Sequence, residues 1–66
     1  MKLAVFYNNS NNRKSEVYRG ESGFSVVFYE HGVKIKEESY LGKSENYHRD
    51  SAENWVLGIN TLNTNE

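Results

Sequence analysis

The residue types in this 66-residue chain that could do chemistry are two histidines, His31 and His48, and a few charged groups. The charged groups are the adjacent carboxylates Glu37 and Glu38, the pair Asp50 with Glu53, and the neighbouring cations Arg13 and Lys14. A histidine pair could hold a metal or move a proton. His31 and His48 lack the spacing that puts two ligands on one helical face, and solvated or structural roles fit them better. Glu37 and Glu38 would need a shared pocket for acid–base work, but neighbours on a strand point to opposite faces. Asp50 and Glu53 already suit a helix N-terminus. With no cysteine in the chain, a thiolate nucleophile and a thiolate zinc site are excluded. Gly20 and Gly23 lack the Lys-Ser or Lys-Thr and the following helix that make a phosphate loop. These spacings predict a protein that is not an enzyme and carries no cofactor or metal.

Composition narrows the partner. Eight basic and nine acidic residues leave a net charge of -1, whereas domains that live on phosphate contacts are usually basic. Five tyrosines, three phenylalanines and one tryptophan supply the mass of a folded core. A chain this short buries only about 60% of its unfolded surface, so residues 1–66 are expected to form a single domain. No segment approaches the roughly 20 apolar residues that span a bilayer. The apolar run Leu3–Tyr7 is too short for a signal peptide, and a cytoplasmic location is expected.

The elements that must position any site follow from periodicity. Leu3–Tyr7 predicts a strand with apolar residues on both faces, buried on both sides or shared between two chains. The polar run from Asn8 to Ser15 predicts an exposed loop, with Arg13 and Lys14 as an alternative anion contact. Glu16–Arg19 predicts a short strand around Val17 and Tyr18, and Gly20 and Gly23 a turn. Phe24–Glu30 is the strongest strand signal. His31-Gly32 suits a type I′ turn into Val33–Glu38. A two-residue turn there pairs Glu30 with Val33, Phe28 with Ile35 and Val26 with Glu37. One face then carries Phe24, Val26, Phe28, Val33 and Ile35. The other carries Ser25, Val27, Tyr29, Lys34, Lys36 and Glu38. Asp50 predicts an N-cap with Glu53 three residues on, and Ala52, Trp55, Val56, Ile59 and Leu62 form a helical stripe with Trp55 as anchor. Gly58 is expected to weaken the helix interior. The fold class is α+β, a small antiparallel sheet of three to four strands packed on one C-terminal helix.

That arrangement leaves one sheet face uncovered. Val27 and Tyr29, flanked by Lys34 and Lys36, are the candidate contact residues, with Leu57 off the helix stripe extending them. The function expected is a protein-interaction module, self-association included, in which aromatic residues carry binding energy. The alternative is single-stranded nucleic-acid binding, with Tyr29 stacking bases between Lys34 and Lys36.

The stretches Gly23-Phe24-Ser25-Val26-Val27-Phe28-Tyr29 and Ala52-Glu53-Asn54-Trp55-Val56-Leu57-Gly58 resemble small proteins of marine cyanobacterial phages. The shared style is a hairpin followed by an Ala-x-x-Trp helix, over about half of the chain, without a catalytic signature. The resemblance implies an accessory protein in the host cytoplasm that binds a bacterial protein, and it assigns a role to no residue.

Overall fold

In the computed structural model, residues 1–58 are described. Four strands, β1 (Lys2–Asn8), β2 (Arg13–Gly20), β3 (Gly23–Glu30) and β4 (Val33–Glu38), precede one helix, α1 (Glu45–Leu57). The strands form an antiparallel meander in the order β1-β2-β3-β4, so β1 and β4 are the edges. The helix packs over β1, β2 and β3 and leaves β4 uncovered. This is the expected α+β class, a four-stranded sheet on one C-terminal helix.

The β3–β4 turn forms as its residues predict. His31 and Gly32 have φ of 53° and 80°, the double positive φ of a type I′ turn. The register past it differs from expectation. Glu30 faces Val33 and Tyr29 faces Lys34, but a bulge then sets Phe28 opposite Lys36 and Val26 opposite Glu38. One extra residue at Ile35 thus moves Lys36 and Glu38 to the helix side of the sheet, where the Lys36 ammonium lies 4.9 Å from the centre of the Phe28 ring. Val33 and Ile35 are not core residues; they stand 63% and 48% exposed because α1 does not reach β4.

The polar run after β1 is also structured. Arg13, Lys14 and Ser15 belong to an eight-residue strand at the centre of the sheet, and Ser15 is fully buried. Only its second half, Glu16–Arg19, shows as strand in the sequence; the first half does not, because its inward positions, Arg13 and Ser15, are polar and find partners on the helix. Ser15 Oγ donates to the Ala52 carbonyl at 2.9 Å, and Arg13 Nη1 donates to the Trp55 carbonyl at 2.8 Å.

The core comprises Val17, Val26, Phe28 and Ala52, flanked by Leu3, Ala4, Phe6, Tyr40 and Trp55. Ala52 and Ser51 are buried, and their small side chains let the helix backbone approach the sheet. Trp55 meets Phe28 edge to face at 5.0 Å, while the Arg13 guanidinium lies 4.4 Å from its ring centre. The helix starts earlier than expected. Ser44, not Asp50, is the N-cap, and its Oγ accepts from the Tyr47 amide at 3.2 Å. Asp50 lies on the exposed side of the helix. Gly58 ends the helix rather than interrupting it, in the left-handed conformation at φ 79°. Ile59 and Leu62 of the expected stripe lie outside the described residues.

Candidate functional site

The register builds the uncovered face row by row. Val5, Glu16, Val27 and Glu37 lie abreast across the four strands, and Tyr7, Lys14, Tyr29 and Lys34 form the next row. Val27 and Tyr29 are therefore on this face, as expected, together with Lys34. Lys36 is not, because the bulge places it on the other side. Val27 is only 7% exposed, flanked by longer side chains, so it underlies the surface rather than presenting it. Leu57 is exposed near the helix end, on the opposite layer from Tyr29.

The centre of this face is a carboxylate that sequence reasoning did not single out. Glu16 is buried. Its Oε1 accepts from the Tyr18 hydroxyl at 2.7 Å and the Tyr29 hydroxyl at 3.1 Å. Its Oε2 lies 3.2 Å from Lys2 Nζ and 3.5 Å from Lys14 Nζ. Burial alone would raise the Glu16 pKa. The hydroxyls of Tyr18 and Tyr29 and the ammoniums of Lys2 and Lys14 outweigh it, and the carboxyl titrates at about 2. The same bond to Glu16 pushes Tyr18 up to about 12. Lys14 also lies 4.3 Å from the Tyr29 ring centre. The signal for this cluster was the alternation of Lys14, Glu16 and Tyr18 about Val17, and extending the strand back to Lys14 requires Ser15 as an inward residue.

The lysines of the face are thus committed. Lys2 and Lys14 share Glu16, and Lys34 pairs with Glu37 at 3.1 Å. Beside this ion-paired centre stands the β1 edge. Residues Leu3–Tyr7 carry no charge, Val5 is partly exposed, and Tyr7 is 68% exposed. Beside Tyr7, an open cleft of about 260 Å³ lies between the two neighbouring turns, lined by Asn9, Asn12, Lys14, Tyr29 and His31 among others. It is smaller than the roughly 300–1,000 Å³ of drug-sized ligand pockets.

His48 is a packing residue. It is buried with its Nδ1 donating to the Ser44 carbonyl at 2.8 Å and its Nε2 accepting from the Tyr40 amide at 3.2 Å. His31 is exposed in its turn. Family models, curated proteins and solved structures contain no match to this chain.

Proposed function

We propose that this chain is a small non-catalytic interaction module that takes a protein partner along β1 and the adjoining tyrosine-bearing face. One observation carries this reading: an uncharged apolar strand, Leu3–Tyr7, lies on a sheet edge that is open among the described residues, with Tyr7 projecting from it. An edge strand offers unpaired backbone donors and acceptors to another chain, and exposed aromatic side chains supply anchors. The pairing of Lys2, Lys14 and Lys34 with carboxylates argues against phosphate binding, which needs cations free to replace counterions. The resemblance to phage proteins directs the search towards bacterial host proteins.

Capture with the tagged chain from a bacterial extract, repeated with Tyr7→Ser, tests the proposal. Tyr7 is exposed, so the variant should melt with the parent while partner recovery falls severalfold. Equal recovery by both proteins would remove the proposed surface. Binding of a fluorescent oligothymidylate that weakens steeply with salt would favour the nucleic-acid alternative instead.

A further inference from the structure

The two edges of the sheet are not equivalent. Natural sheets protect their edges with bulges and charged side chains. β4 has both: the bulge at Ile35, and Lys34, Lys36, Glu37 and Glu38 within six residues. β1 has an irregularity only near Leu3 and is in regular register from Ala4 to Asn8, with no charge between Leu3 and Asn8. An unguarded row of backbone donors and acceptors calls for a strand as its occupant.

Building on the interaction reading, we infer that the strand which occupies this edge is β1 of a second copy, paired antiparallel about a twofold axis at Val5. Val5 is the midpoint of Lys2–Asn8 and lies within the regularly paired part of the strand. It sets Val5 against Val5 and Ala4 against Phe6, while Tyr7 and Asn8 reach the irregular end of the partner strand around Leu3. Both facing pairs are apolar with apolar, and no like charges meet. The net charge of -1 per chain adds little repulsion between copies.

The helices also permit this pairing. Each α1 lies over β1, β2 and β3, centred on β2. The two copies of β2 would stand three strand spacings apart, roughly 14 Å. That exceeds the helix diameter of about 10–12 Å, so the helices share one side of an eight-stranded sheet without collision. On the other side, Val5 and Tyr7 of both copies become contiguous. Strand pairing alone falls short of the roughly 1,200 Å² buried in a standard interface, so association is weak and concentration-dependent.

The test has two arms. Sedimentation equilibrium of the full chain from micromolar to millimolar concentration should show reversible dimerisation, and Val5→Lys should weaken it by about tenfold or more by setting like charges opposite each other. The parent has no cysteine, so Val5→Cys should form a disulfide-linked dimer under mild oxidation. Residues facing each other on antiparallel strands lie about 4.5–5.5 Å apart at Cα, within disulfide reach. Ile35→Cys on the guarded edge should cross-link far more slowly. Should Val5→Lys fail to fold, the cysteine arm decides the matter. A parent that stays monomeric at millimolar concentration, or Ile35→Cys cross-linking as fast as Val5→Cys, would overturn the inference. Tyr7-dependent capture of a different protein by a monomeric parent would remove the second copy and leave the interaction reading standing.

Discussion

Glu16 is the residue on which the uncovered face is organised. A carboxylate with two hydroxyl donors and two ammoniums is held ionised well below the usual range. Its folded pKa of about 2 lies under the ordinary 4.5, so ionised Glu16 stabilises the fold fully above pH 4.5. That contribution is lost as pH falls from 4.5 towards 2. Glu38 is shifted in the same direction, chiefly by the Tyr40 hydroxyl, and adds to the same acid slope. Urea midpoints measured across this window should fall with acidification in the parent and fall less in Glu16→Gln. Equal slopes would show that Glu16 is no better partnered in the fold than in the unfolded chain. Tyr18 behaves oppositely. Its hydroxyl is raised from 10 to about 12, so its contribution is whole below pH 10 and lost as pH rises through 12.

The elements are fastened at their ends. At its start, α1 is capped by the Ser44 hydroxyl. Ser44→Ala should cost about 1 kcal/mol in chemical denaturation, whereas exposed Asp50→Ala should stay within about 0.5 kcal/mol. The reverse ranking would restore Asp50 as the cap. At its end, α1 has no basic residue of its own, and the asparagine-rich turn supplies what is missing. Asn8 Nδ2 and Asn11 Nδ2 both donate to the Val56 carbonyl, at 2.8 and 3.0 Å, and Arg13 brings a positive charge to the negative end of the helix dipole. The run that reads as a solvated loop is thus a helix cap contributed by another element. Replacing Asn8 and Asn11 together by Ala removes these two bonds and the two that their Oδ1 atoms accept from the Ser10 and Arg13 amides, and should cost at least about 1–3 kcal/mol, at about 0.5–1.5 kcal/mol per bond to the helix. Amide exchange in the last turn of α1 should quicken in parallel.

At the scale of the whole molecule, the fold is a slab of 32 × 29 × 16 Å, one sheet and one helix thick. Two layers of so short a chain make a small core, and stability for 66 residues is expected at about 3–10 kcal/mol. Such a molecule gains measurably from any partner that binds only its folded form. The dimer inferred above therefore predicts a melting temperature that rises with protein concentration in the parent. In Val5→Lys the melting temperature should be independent of concentration. A concentration-independent parent would count against pairing along β1.

Local pattern alone determined the strand Leu3–Tyr7, the strand Phe24–Glu30, the His31-Gly32 turn and the Ala52, Trp55, Val56 side of the helix. In these segments backbone preference and hydrophobic periodicity agree. It also marked β1 as apolar on both faces, but that pattern suited a strand buried on both sides as well as a shared one; only the strand order put β1 at an edge with Val5 and Tyr7 exposed. Tertiary structure decided what depends on partners distant in the chain. Arg13 and Ser15 can face inward only because helix carbonyls receive them, and Glu16 can be buried only because Lys2 and Tyr29 arrive from the neighbouring strands. The bulge at Ile35 removed Lys36 from the candidate face, since a single extra residue reverses the side on which every later residue of the strand projects. Period-two alternation carries no information about where that residue will be inserted.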